Sequence, residues 1–277
     1  MDDVKAIAGA DSAAFSRVEK LEASAHERTH ENVFAKLVSS AGGEVHIVDE
    51  PPLIYHPDDR DVTRDVIVKF LADYRETLPE ERRMLYDRYH FVDLALKVVG
   101  VGSVGTRCFI ALFLADPDDP LFLQVKEARP SVLEPYVRKA EKGHNGHRVV
   151  LGQRLMQSAS DIFLGWASGS PGGREFYVRQ LRDMKVAALV ETQTPSIMRL
   201  YAKLCGMTLA RAHDKAGDAA TIAGYMGKSD VFDRSIADYA EAYADQVERD
   251  YATFVTAIRS GKLVSDTMPS ALETTLR

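Results

Sequence analysis

From Phe91 to Val99 the chain alternates: Val92, Leu94, Leu96 and Val98 are separated by Asp93, Ala95 and Lys97. Such period-two patterning predicts a half-buried strand. Two further apolar runs follow, Cys108–Leu114 and Leu121–Val125, the second ending on Lys126 after the turn Asp116-Pro117-Asp118-Asp119-Pro120. A second hairpin is predicted from Ile162–Ala167 and Phe176–Leu181, with Gly169, Gly172 and Gly173 in the turn between them. Elsewhere the period is helical. A helix capped by Asp11 is expected to run to about Ser40 and stop at Gly42-Gly43, followed by a short strand Val45–Val48 and an extended Pro51-Pro52 segment. Val66, Ile67, Phe70, Leu71 and Tyr74 share one face of a helix starting near Asp61 or Thr63, and Pro79 with Glu80 and Glu81 opens the next. Ser131 and Glu134 have capping-box spacing, and a further helix spans about His147 to Gln157.

The last third reads as helical. Thr194-Pro195 starts a helix carrying Ile197, Leu200, Tyr201, Leu204 and Leu209, and a loop then leads to Ser229. Asp230 caps a long final helix with Phe232, Ile236, Tyr239, Tyr243, Val247, Tyr251, Phe254 and Ile258 on one stripe, the pattern of a core-facing surface. The fold class expected is α+β: a kinase-like antiparallel sheet of about five strands, flanked by an N-terminal helical segment and a helical C-terminal half. The corresponding regions are 1–90, 91–185 (β-rich, resembling a nucleotide-binding lobe) and 186–277.

Composition narrows the function classes. The chain has 277 residues, a net charge of −6 and 27% charged residues. This argues against broad electrostatic binding to nucleic acid or to an anionic membrane and leaves a local basic groove open. The N-terminus, Met1-Asp2-Asp3, lacks the apolar core of a secretory signal, and the longest apolar run is too short to span a bilayer, so a cytoplasmic location is expected. The two cysteines, Cys108 and Cys205, fall in apolar patterns and read as buried small hydrophobes.

The chemistry centres on Gly100-Val101-Gly102-Ser103-Val104-Gly105, a G-x-G-x-x-G pattern between two strands. A dinucleotide fold would require a helix after it. Strand–loop–strand context fits instead the glycine-rich loop of protein kinases, where backbone N–H groups cover phosphates and a lysine on the third strand pairs with them. Lys126 occupies that place, and Glu127, Glu134 or Glu141 could orient it. The stretch Gln180 to Met184 would meet the base. Gly100, Gly102, Ser103, Gly105, Lys126, Gln180 and Met184 are therefore the candidate nucleotide contacts, with ATP and magnesium the cofactors implied. His213 and Asp218, near a helix end, are candidates for acid–base work; His144 and His147 form H-x-x-H without further metal ligands nearby. Two alternatives stand beside nucleotide binding: a non-catalytic protein-interaction scaffold whose glycines only make turns, and an enzyme of another class using His213 and Asp218.

Several segments resemble the bacterial domain-of-unknown-function 2252 family: Lys97 to Arg107, Leu123 to Ala128, Gly152 to Gln157, Tyr177 to Lys185, Leu209 to His213 and Gly224 to Asp230. Fuller members of that family carry Gly-Asp-x-His-x-x-Asn-Phe and Asn-Asp-Phe-Asp-Glu elements upstream, which look like the catalytic loop and metal-binding acids of kinase-like phosphotransferases. This chain has neither; Gly217-Asp218 is followed by Ala219-Ala220-Thr221. The resemblance implies the nucleotide-gripping part of a kinase-like phosphotransferase that lacks the family's N-terminal region, incomplete or inactive alone.

Overall fold

The computed structural model describes residues 34, 37–39, 44–57, 62–100, 105–136, 143–169, 173–181 and 189–263. Gly102, Ser103, Glu141 and Met184 lie outside them, as does nearly all of the helix expected from Asp11 to Ser40. The elements are β1 (Val38–Ser39), β2 (His46–Ile47), β3 (Ile54–Tyr55), α1 (Arg64–Glu76), α2 (Glu80–Tyr86), β4 (His90–Lys97), β5 (Cys108–Leu114), β6 (Pro120–Ala128), α3 (Asn145–Met156), β7 (Gly165–Ser168), β8 (Glu175–Gln180), α4 (Pro195–Ala216), α5 (Ala219–Met226) and α6 (Val231–Arg259). Val38–Ser39, placed by sequence at the end of a helix, is instead a strand paired with His46–Ile47.

The central sheet is antiparallel with order β3-β4-β5-β6-β8-β7. It has six strands, not the five expected. The extra one is β3: the backbone turns back at Glu50, which bridges Ile54, and pairs Ile54–Tyr55 with Leu96–Lys97. Two residues are too few to show an alternating pattern, and the prolines before them suit an edge.

Alternation along β5 and β6 divides the core in two. Phe109, Ala111, Phe113, Leu121, Leu123 and Val125 meet Tyr74, Leu78 and Tyr86 of the α1–α2 region. Ile110, Leu112 and Phe122 point the other way, onto Ile47, Ile54, Ala95 and Leu181. A strand covered on both faces reads as a continuous apolar run, which is why these two runs lack polar interruptions. Each fully buried Leu or Phe contributes about 1.5–3 kcal/mol.

Polar anchors fix the surrounding pieces. On the first face the Tyr74 hydroxyl donates to the Phe163 carbonyl at 2.6 Å, and Thr77 Oγ1 accepts from the Trp166 N–H at 3.0 Å. Burial, reinforced by the neighbouring Tyr86, holds the Tyr74 phenol well above its usual pKa, so it always has a proton to donate. Gly165 makes this closeness possible: a Cβ there would lie 2.7 Å from the Tyr74 ring. On the second face Asp93 Oδ2 accepts from the Ile47 N–H at 2.7 Å and faces His56 Nε2 at 3.0 Å, tying the small N-terminal sheet to β4.

By internal packing the chain divides into two units after Ala216. In the second, Ala219–Met226 is a helix where a loop was expected; Asp218 caps it by accepting from the Ala220 and Thr221 N–H groups. The long stripe of α6 is also not a core face, because Tyr239, Tyr243 and Tyr251 are 62%, 55% and 67% exposed. Among the described residues no helix is long and apolar enough to cross a membrane.

Tyr74→Phe leaves the Phe163 carbonyl buried without its donor, and the expected loss is about 1–3 kcal/mol in urea unfolding. The His56 pair gives a pH signature. Burial pulls its pKa down, but hydrogen bonds to Asp93 and Asp49 outweigh burial and leave it above 6.5. The stabilisation is therefore complete below pH 6.5 and fades as pH rises through the higher folded value. His56→Asn should flatten the decline in unfolding free energy across that window; an unchanged slope would assign it elsewhere.

Candidate functional site

Strand register decides what the glycine hairpin brings together. Gly100 lies just beyond the end of β4, and Gly105 lies on the way into β5 with φ +76°, a left-handed conformation that side chains resist. A Cβ at Gly100 or Gly105 would meet nothing within 4 Å, so neither glycine is required by packing. Opposite the return, Cys108 is in register with Lys126, and the Arg107 carbonyl accepts from the Glu127 N–H at 2.9 Å. Lys126 thus sits beside the shoulder of the bend.

Neighbouring residues of a strand point to opposite faces. Gln124 and Lys126 share the face of Cys108, and Lys97 of β4 with Tyr177 and Arg179 of β8 share it too. Gln124 Nε2 donates to Cys108 Sγ at 3.5 Å, and Arg179 Nε reaches Gln124 Oε1 at 3.4 Å. Burial pushes the Cys108 thiol up, against the nearby charges of Lys126, Lys97 and Arg179 and the Gln124 hydrogen bond, and burial wins. Cys108 is a neutral thiol, not a nucleophile. Around it three cations from three strands converge on one side of the sheet. Among the described residues neither Lys126 nor Arg179 forms an ion pair with a carboxylate.

Of the acids expected to orient Lys126, Glu127 is on the opposite face. Its Oε2 accepts from the Arg107 N–H and its Oε1 from Arg129 Nε, both at 2.9 Å, and Arg129 also donates to the Gly105 carbonyl. Burial raises the Glu127 carboxyl, but the Arg107 amide and the Arg129 guanidinium more than offset it, so its pKa falls below the usual value. Glu127 is therefore a clamp on the loop's return limb. Glu134 accepts from the Ser131 N–H at 3.3 Å and closes its own turn, as the capping-box spacing expected. Helix α3 carries no acid.

A cleft of about 270 Å³, partly open, lies beside Arg179 and is lined by Gln153, Gln157, Ser160, Asp161 and Gln180. The Gln180 N–H already donates to Asp161 Oδ2 at 2.7 Å, so this amide is engaged within the sheet's own framework. His213 Nδ1 lies 2.7 Å from the Leu209 carbonyl one turn earlier, and Asp218 is the α5 cap; each is used locally. His144 Nδ1 accepts from the His147 N–H, which makes H-x-x-H a helix cap, and the His147 ring packs on Trp166. Among the described residues no group of three His, Cys, Asp or Glu could hold a metal.

Lys97 and Arg179 were not singled out from sequence. Their signal was parity: each stands on the same alternate positions of its strand as the residues facing Lys126, but only the register brings Lys97 level with Lys126 and Arg179 one pair further along, opposite Gln124.

Comparison with curated proteins and with solved structures found no match. A family model, described as an uncharacterized protein conserved in bacteria (DUF2252), matches residues 3–257. Spanning nearly the whole sequence, that match makes the chain a member of the DUF2252 family.

Proposed function

We propose that the Cys108 face holds the phosphates of a magnesium-bound nucleoside triphosphate, ATP in the first instance, as the nucleotide-gripping part of a kinase-like phosphotransferase. The observation that carries this reading is the convergence of Lys97, Lys126 and Arg179 beside the glycine hairpin. Lys126 and Arg179 form no ion pair with a carboxylate among the described residues, and an anion seated beside them is favoured by both charges. A triphosphate matches both the charge and the glycine-rich backbone. The order of parts supports it too: a glycine hairpin joins β4 to β5, the lysine lies on the next strand, and α3 precedes the β7–β8 hairpin. In protein kinases a glycine-rich loop and a third-strand lysine take these roles.

The chain departs from that pattern where a kinase helix supplies an acid to the lysine, since α3 has none. Here Lys126 is oriented by phosphate and by its strand. Magnesium would enter on the nucleotide, supplying charge neutralisation between phosphates. Gln153, Asp161 and Gln180 line the space next to Arg179 into which the nucleoside would extend. Binding is the task these residues fit.

Thermal unfolding with and without Mg-ATP tests the proposal. At about a hundred times its dissociation constant the ligand stabilises by roughly 2.7 kcal/mol. The shift should vanish in Lys126→Ala and Arg179→Ala and persist in Lys69→Ala, a control on exposed α1. Inorganic triphosphate should reproduce part of it. No shift with millimolar Mg-ATP would end the proposal.

Glu127→Gln probes the clamp separately. It leaves the cationic face intact but weakens the hold on Arg107 and, through Arg129, on Gly105. Charge-assisted hydrogen bonds of this kind are worth about 1.5–3 kcal/mol, so calorimetry should show roughly tenfold weaker Mg-ATP binding with the fold retained. Unchanged affinity would make the clamp purely structural.

A further inference from the structure

The stripe of α6 has a property that burial alone would not require. From Phe232 through Ile236, Tyr239, Tyr243, Val247, Tyr251 and Phe254 to Ile258 the successive gaps are four, three, four, four, four, three and four residues. That series reads the same from either end, and its centre is Asp245. We propose that α6 pairs antiparallel with α6 of a second copy of this chain, about a twofold axis passing near Asp245.

A twofold interface is isologous: residue i meets residue j, and j meets i. Antiparallel pairing about Asp245 sets Phe232 against Ile258, Ile236 against Phe254, Tyr239 against Tyr251 and Tyr243 against Val247, so every position of the stripe finds another. The charges agree. Asp233, Asp238, Glu248 and Asp250 mirror onto Ala257, Ala252, Ala242 and Ala240, and Glu241 mirrors onto Arg249. The exception, Asp245, mirrors onto itself but lies on the side of the helix away from the stripe. A parallel pair would instead set Asp250, which lies within the stripe's width, against its own copy.

Geometry and area are adequate. Phe232, Tyr243 and Phe254 recur at the eleven-residue spacing, as do Ile236, Val247 and Ile258, which keeps the stripe nearly straight along the helix. Tyr239 and Tyr243 are already stacked, with ring centroids 5.6 Å apart at an interplanar angle of 14°. Tyr239, Tyr243, Tyr251 and Phe254 are each more than half exposed, and Ile236 and Val247 are half exposed. With aromatic side chains burying about 150–250 Å² each, covering the exposed part removes on the order of 600 Å² per copy. Two copies give about 1,200 Å², above the roughly 1,000 Å² that a specific interface needs.

Sedimentation equilibrium of the full chain should give twice 30.7 kDa. Tyr243→Glu should weaken association about 30-fold or more with helix content retained by circular dichroism. Because that variant could fail for other reasons, spin labels at exposed positions give an independent reading. In a Cys205→Ala background, Arg234→Cys, Glu248→Cys and Arg259→Cys are labelled one at a time; Cys108 is buried. Each residue of distance from Asp245 adds about 3 Å of axial separation between copies, twice the 1.5 Å rise. The labels should be close at 248, with axial separations of about 33 Å at 234 and 42 Å at 259. Equal short distances at all three sites would mean a parallel pair and overturn the proposal. A monomer without dipolar coupling, in which the stripe is covered by its own chain or by another protein, would also overturn it.

Discussion

The pairing of β5 with β6 is the constraint on which the rest turns. Seven consecutive partners, from Cys108 with Lys126 to Leu114 with Pro120, fix which side chains share a face. A slip of one residue would invert every side chain and send Lys126 into the apolar layer under α1. With the observed register, two successive residues of β6 do opposite things. Lys126 joins the cationic face, while Glu127 reaches through to the other side and secures the return limb of the glycine hairpin. The two layers of core hold this register from both sides, so the electrostatics of one face and the geometry of the bend have a common origin.

Much of this was legible from the amino acids. The central strands, the second hairpin, the helices around Phe70 and at Glu80, and the helix between the hairpins announce themselves through period and punctuation, because each is long enough for its burial pattern to repeat. What escaped was short or non-local. Ile54–Tyr55 is a strand only because Leu96–Lys97 lies beside it, and Val38–Ser39 only because His46–Ile47 does. Ala219–Met226 is two turns of helix secured by one capping aspartate.

The site shows the same division. Lys126 was singled out for its place after a glycine hairpin, a relation along the chain. Lys97 and Arg179 come to its side through relations across the sheet, which a single sequence does not display. Glu127 could have been set aside as a partner for Lys126 at once, since adjacent residues of a strand cannot face the same way. The stripe of α6 was legible as an apolar face, but periodicity says only that a surface wants cover, not that its own unit supplies it.

Helix α3 has a consequence of a different kind. Its Gly146 packs so tightly on β8 that a single added carbon would sit 2.1 Å from the Phe176 carbonyl oxygen. A helix wedged against main chain in this way is a fixed stop and has no room to swing inward. On the reading proposed above, that helix would serve an incoming ligand as a wall set in advance, not as a moving part.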